Sequence, residues 1–261
     1  MKRELKMCQY AEFKRQLILS GEDFTVKSTS YTKQLKVNKK TFLFADEPTS
    51  YQQLKLINLA RTDGLNYLKR KKIKKIKSKE IPFYKFIDNG GGNQKLKGYK
   101  IDLTSAYWVM AINEGIISEK TNAFFMDCNL DKHARLKALG SYATKKHNQL
   151  YENGKLTGES VDIFNEDLRG LYLYICEKVA EVMQIVSYAF RTEAFYYYWD
   201  CLFFSDSVDP DKVQSLLKRL GFGSTVEKTD FAILKGKYLS KLIDINKKIE
   251  YPIKRIEVLN S

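Results

Sequence analysis

Two aspartates stand out by the company they keep. Asp200 interrupts the aromatic run YYYWDCLFF (Tyr196–Phe204), with Trp199, Cys201, Leu202 and Phe203 around it. A carboxylate in such a segment is costly to bury unless it is paired, hydrogen-bonded or holding a metal. Asp102 follows Tyr99-Lys100-Ile101 at the end of a short apolar strand and precedes LTSAYWVM, which turns toward a helix. The two lie 98 residues apart, yet adjacent strands would bring them together. Two carboxylates at one point make a hard-cation site suited to Mg²⁺, and a pair of such metals stabilises in-line phosphoryl transfer. The same residues also fit a structural arrangement, in which Asp102 caps a helix beginning near Thr104 and Asp200 pairs with a lysine.

Charge supplies the second pointer. Lys and Arg number 45 against 31 Asp and Glu, a net charge of +14, so the chain is drawn to polyanions such as nucleic acid or anionic lipid. Much of the excess lies in KRKKIKKIKSK, Lys69 to Lys79, which includes Lys71, Lys72, Lys74 and Lys75. A phosphate-backbone contact and a merely solvated basic face both fit this run. Cys8, Cys128, Cys176 and Cys201 form no C-x-x-C pair, and only His133 and His147 accompany them, which argues against a disulfide scaffold and a Cys/His zinc site. No apolar run approaches the ~20 residues of a membrane span, and no apolar stretch follows the initial charges as a signal peptide would require. A reducing, cytosolic setting without membrane partners is expected.

The elements that must position the aspartates follow from periodicity. Residues 1 to 45 read as an amphipathic helix followed by a small hairpin-containing lobe. DEPTS, Asp46 to Ser50, reads as a helix start, and Leu54, Ile57, Leu65 and Leu68 of the next stretch fall near helical spacing, with Gly64 as a candidate break. A glycine loop, Ile87 to Gly98, leads into the strand Tyr99–Leu103. Asn165 to Phe190 puts Leu168, Leu171, Tyr172, Ile175, Val179, Val182, Met183 and Val186 on one helical face, predicting a core helix. Glu193 to Phe204 reads as one central strand, followed by a helix from Pro210 to Leu220 and a strand from Thr225 to Leu234.

Five segments, in order, resemble motifs of family B DNA polymerases, the protein-primed type most of all. IDLTSAYWVM resembles motif A, D-x-x-S-L-Y-P, through Asp102, Ser105 and Tyr107. YYYWDCLFF resembles motif C, Y-G-D-T-D-S, with Tyr196 on its tyrosine and Asp200 on its second aspartate. Gly90, Gly91 and Gly92 resemble the Y-x-G-G template loop, and DFAILKGKYLSK resembles the primer-gripping lysine–tyrosine motif through Lys235, Lys237 and Tyr238. HARLKALGSYATKKHNQ resembles a shortened form of the helix that binds the incoming triphosphate, with Lys137 and Arg135 toward the phosphates. The wording of IDLTSAYW, GIISEKT and RLKALGSYA is also similar to a group of tailed-phage proteins.

The resemblance implies an α+β fold, a palm-like antiparallel sheet backed by helices, with a small N-terminal α/β lobe. Its implied limits are 1–88 for the lobe with the basic cluster, 89–241 for the palm-like domain and 242–261 for a C-terminal extension. Asp102 and Asp200 would hold two Mg²⁺ ions, Ser105 and Tyr107 would contact the nucleoside triphosphate, Tyr107 as steric gate, and DNA would be gripped through its backbone. The implied setting is a phage-infected bacterial cytoplasm or the virion, with phage proteins as further partners. Several positions depart from the pattern. Trp108 replaces the proline of motif A, Tyr198 stands where motif C has its first aspartate, Cys201 replaces its serine, and the middle motif lacks its asparagine. The roughly 90 residues ahead of the resemblance are fewer than a proofreading exonuclease needs. A minimal polymerase, a catalytically degenerate palm acting as a DNA-binding accessory protein, and an unrelated basic nucleic-acid-binding protein are the three readings left open.

Overall fold

A computed structural model describes residues 2–29, 32–45, 51–73, 81, 84–86, 94–163, 165–190, 194–234 and 240–253. It is an α+β protein whose chain forms two compact units, each discontinuous: Met1–Ile73 with Ile117–Tyr172, and Lys74–Ile116 with Leu173–Ser261. Non-local strand pairing is the reason, since residues 145–163 return to the first unit's sheet and residues 240–253 extend the second.

The chain starts with a strand, β1 (Lys2–Lys6), before the expected helix α1 (Tyr10–Ser20), which ends on Gly21 at φ +70°. Strands β2 (Phe24–Ser28), β3 (Thr32–Val37) and β4 (Lys40–Ala45) form a meander. Its second turn is Asn38-Lys39, both at positive φ, as a two-residue type I′ hairpin requires. Helix α2 (Tyr51–Arg70) runs unbroken through Gly64. Its buried stripe is Leu56, Ala60, Gly64 and Tyr67, whereas Leu54 and Leu65 face solvent. Gly64 does not break the helix because its bare Cα is a packing surface: a Cβ there would lie 2.8 Å from Tyr142 Oη and 3.0 Å from Leu168.

Strands β5 (Tyr84–Phe86) and β6 (Gln94–Leu103) and helix α3 (Ala106–Asn113) belong to the second unit. Helices α4 (Glu119–Asp127) and α5 (Lys132–Gly140) return to the first, capped by Ser118 and Asp131. They lead to β7 (Lys145–Glu152) and β8 (Lys155–Ile163), joined by Asn153-Gly154. The first unit's sheet has the order β1-β4-β3-β2-β7-β8, antiparallel except for the parallel pair β1 and β4. Its core is Leu17, Phe24, Val26, Leu35, Val37, Phe44 and Tyr151, with Phe24 and Tyr151 stacked 4.5 Å apart.

The long helix, α6 (Glu166–Ala189), buries seven of its predicted apolar positions, Val179 and Met183 among them, and leaves Tyr172 half-buried. The segment expected as one central strand is two, β9 (Ala194–Tyr198) and β10 (Cys201–Ser205), turned at Trp199-Asp200. Helix α7 (Pro210–Arg219) starts on an Asp209 cap followed by Pro210, then come β11 (Ser224–Leu234), β12 (Ser240–Asp244) and β13 (Ile249–Ile253). The second unit's sheet is antiparallel in the order β13-β12-β11-β6-β10-β9-β5.

Within it, β6, α6, β9, β10, α7 and β11 follow the order β-α-β-β-α-β, and their strands stand as β11-β6-β10-β9, the split-βαβ connectivity. One face is backed by α6, where Tyr197 is hydrogen-bonded to Gln184 and Phe190 meets Phe204 edge-on at 5.9 Å. The other face is lined by Tyr196, Cys201, Phe203, Phe231, Ile233, Leu242 and Tyr251. Tyr251 of β13 contacts Phe203 of β10 at 5.0 Å and Tyr198 of β9 at 5.9 Å, across several intervening strands, so the sheet curls over its own aromatic face. Among the described residues no helix is long and apolar enough to cross a membrane.

Gly98 of β6 sits where a Cβ would overlap the Phe204 carbonyl oxygen of the neighbouring strand. Gly98→Ala is expected to force the two strands apart, at about 1–3 kcal/mol, read as a melting temperature several degrees lower.

Candidate active site

Three backbone segments converge at the C-terminal end of β6. Cys201 of β10 is the register partner of Asp102 on one side, and Thr225 of β11 on the other. The Leu103 N–H donates to the Asp200 carbonyl at 3.0 Å, and the Thr104 N–H donates to the Gly223 carbonyl at 2.8 Å. Asp102 and Asp200 are thereby brought side by side from 98 residues apart. Asp102 stands on the strand as expected. Asp200 does not lie within a strand: it is the second residue of the two-residue turn between β9 and β10.

Both approaches to the aspartates carry unusual backbone. Trp199, immediately before Asp200, has φ +56°, and Ser105, three residues after Asp102, has φ +55°. Left-handed conformations cost L residues about 1–2 kcal/mol and cluster where a function imposes them. Ser105 occupies the N-cap position of α3 without a side-chain cap hydrogen bond, so neither it nor Asp102 serves as the expected cap. Tyr107, in the first turn of α3, is half-buried and Trp108 is fully buried.

Asp102 is paired instead with Lys100, Nζ to Oδ2 at 2.9 Å. Residues i and i+2 of a strand share a face, so β6 presents this pair together toward Cys201 and the aromatic interior. The side chain of Lys100 is only 13% exposed against 42% for Asp102, so the cation enters the sheet's concavity and the carboxylate stands at its mouth. Burial works against the Lys100 ammonium, but the hydrogen bond to Asp102 and the surrounding Cys201, Asp102 and Tyr251 outweigh it and hold its pKa above the ordinary lysine value. Burial, then Asp102, push the Cys201 thiol well up, and Asp200 adds to the effect, so Cys201 is a packed, protonated thiol. Tyr251 is likewise raised, chiefly by burial.

Arg135 and Lys137 lie on α5 of the first unit. The Arg135 guanidinium sits 4.7 Å over the Phe125 ring, burial lowers its pKa, and its Nε has no hydrogen-bond partner among the described residues. Lys71 and Lys72 are exposed just beyond α2, whose last turn holds Lys69 and Arg70, and Lys71 Nζ lies 5.2 Å over the Tyr67 ring. Lys74, Lys75, Gly90, Gly91, Gly92, Lys235, Lys237 and Tyr238 fall outside the described residues. Sequence reasoning did not single out Lys100 or Tyr251. The period-2 spacing of Lys100 to Asp102 was the signal for the first, and Tyr251 carried none.

The two aspartates offer hard oxygen donors of the kind Mg²⁺ takes, and Lys100 already neutralises one of them. Among the described residues no group of three or more His, Cys, Asp and Glu side chains could hold a metal ion. The donor set therefore fits Mg²⁺ only with further oxygens, such as nucleotide phosphates, completing it. No family model matches the chain, and no curated protein matches it.

Removing one member of a partly buried pair strands the other, whereas removing both is nearly neutral. Asp102→Asn is expected to destabilise by about 1–2 kcal/mol because Lys100 loses its partner. Adding Lys100→Met to that variant should recover most of the loss, and a thermal double-mutant cycle reads the coupling directly.

Proposed function

We propose that the second unit is a palm-like domain of the family B polymerase type, phage-encoded, that binds DNA and carries out Mg²⁺-dependent nucleotidyl transfer. The observation that carries this reading is the register Cys201↔Asp102, which seats the candidate motif A aspartate beside the candidate motif C aspartate at one end of two antiparallel strands. The split-βαβ sheet backed by α6 supports it, as does the basic charge of the chain.

In this reading Asp102 and Asp200 hold the cation. Bound Mg²⁺ supplies Lewis acidity that lowers the barrier to primer 3′-hydroxyl attack on a nucleoside triphosphate and neutralises the phosphates. Ser105 and Tyr107, at the start of α3, face the nucleotide, and Lys100 keeps the Asp102 carboxylate oriented before ligand arrives. Lys71 and Lys72, with Lys74 and Lys75 beyond them, contact the DNA backbone. The host cytoplasm or the virion is the setting proposed.

A degenerate palm that binds DNA without catalysis is the second reading. The Lys100–Asp102 pair favours it, because an internal cation does part of what a metal would do. Tyr198 favours it too, standing at the expected first aspartate and packing against Tyr251 and Tyr196.

Primer extension in Mg²⁺ separates the two. The wild-type protein is expected to add nucleotides, and Asp200→Asn and Asp102→Asn to lower the rate by about a hundredfold or more with the fold retained by circular dichroism. Absence of extension with any primer, together with a Mg²⁺-dependent rise in melting temperature that Asp200→Asn abolishes, supports the degenerate palm. Replacing Lys71, Lys72, Lys74 and Lys75 with Gln is expected to flatten the salt dependence of DNA affinity, each lost phosphate contact reducing the log–log slope by about 0.7–0.9. An unchanged slope assigns the cluster to a solvated face.

A further inference from the structure

We propose that Trp199 is a nucleobase-stacking residue, the platform on which a base of single-stranded DNA rests beside the aspartate pair. This rests on the reading of the second unit as a nucleic-acid-binding palm and adds to it the group that takes the base rather than the phosphate. Trp199 is the first residue of the β9–β10 turn, with Tyr198 and Cys201 paired on either side of it. First turn residues at positive φ are usually Asn, Asp or Gly, and a bulky side chain at φ +56° is an outlier. The turn would therefore form more readily without the indole, whose contribution must lie outside local backbone preference.

The surroundings indicate the ligand. Trp199 is 37% exposed at the hairpin tip, with the Tyr198 ring edge-on at 6.3 Å. Asp200 follows it directly, and without a bound cation its carboxylate disfavours a phosphate against the indole, which suits the uncharged face of a base. The net charge of +14 supplies the long-range attraction for the strand as a whole. Aromatic platforms of this kind bind any base, because every base has a π-face.

The chain holds two tryptophans, and the other, Trp108, is 3% exposed, so a ligand-induced change in tryptophan fluorescence, excited selectively over the tyrosines, reports Trp199. Titration with a 12-mer oligo(dT) is expected to quench that fluorescence in the wild type. Trp199→Asn, a turn-compatible change, should abolish the quench and weaken binding about tenfold or more, read by the anisotropy of the labelled oligonucleotide, while the melting temperature holds or rises. Trp199→Phe should restore most of the affinity. Equal quenching by heparin would assign the response to charge and overturn stacking. Unchanged affinity in Trp199→Asn, or a lowered melting temperature without loss of affinity, would also overturn it and leave the palm reading standing. Failure of the wild type to bind any DNA would remove both.

Discussion

Strand β6 is hydrogen-bonded along both edges, to β11 over the ten positions from Leu103 to Gln94 and to β10 over the five from Asp102 to Gly98. Every group at the candidate site takes its place from those two registers. Side chains alternate faces along a strand, so a slip of one residue would turn Asp102 and Lys100 toward the helix-backed face and drive Ile101 into the aromatic concavity. Gly98 holds the register on the β10 side by allowing the Phe204 carbonyl to approach, and the Asp206 N–H fixes the end of the pair on the Lys97 carbonyl at 3.0 Å. Asp102 and Asp200 are neighbours along the backbone because this register buries Ile101, Leu103, Leu202 and Phe204 on one face and Phe203 on the other.

The curl of the sheet then sets the electrostatics. With β13 brought round until Tyr251 meets Phe203 and Tyr198, the face that carries Lys100 becomes an interior, and a lysine there needs a partner. Asp102 provides it at the open end. The same interior admits Thr229 and Asp244, whose side chains are hydrogen-bonded to each other at 2.8 Å, with Asp244 Oδ1 also accepting the Lys247 N–H at 3.0 Å. Lys100 with Asp102 and Thr229 with Asp244 are thus paired on strands that also carry the aromatic packing, while Asp244 Oδ2 is buried without a hydrogen-bond partner among the described residues. The Asp102 carboxylate at the rim is held in place by Lys100, an arrangement that offers preorganisation at the cost of occupying one of its oxygens.

How far the sequence could be read depends on the range of each interaction. The 3.6-residue repeat of α6 and the Asp209-Pro210 start of α7 are local, and both elements lie where periodicity and capping chemistry put them. The Asn153-Gly154 turn between β7 and β8 was equally local, a strong hairpin signal in a stretch whose polar strand faces hide the alternation. The break between β9 and β10 was obscured because Trp199 and Asp200 stand where turn-forming Asn or Gly would announce themselves, so the run from Tyr196 to Phe204 reads as one strand. Gly64 pointed the wrong way for a related reason, since its role is set by Tyr142 and Leu168 rather than by helix propensity.

By itself the sequence determined the helices α2, α6 and α7 and the strand segments of β6 and β11, the basic character of the chain, and the presence of two aspartates in settings that demand a partner. These follow from side-chain periodicity, charge count and desolvation cost, all of which act within a few residues. Tertiary structure alone decided that residues 145–163 and 240–253 complete two different sheets, and that Asp200 sits on a turn facing Asp102. It also decided that Lys100 points into a concavity with Asp102 at its rim. Each of these depends on a strand register or a sheet curl linking residues far apart in the chain, which is settled by the packing of the whole sheet and leaves no local pattern to read.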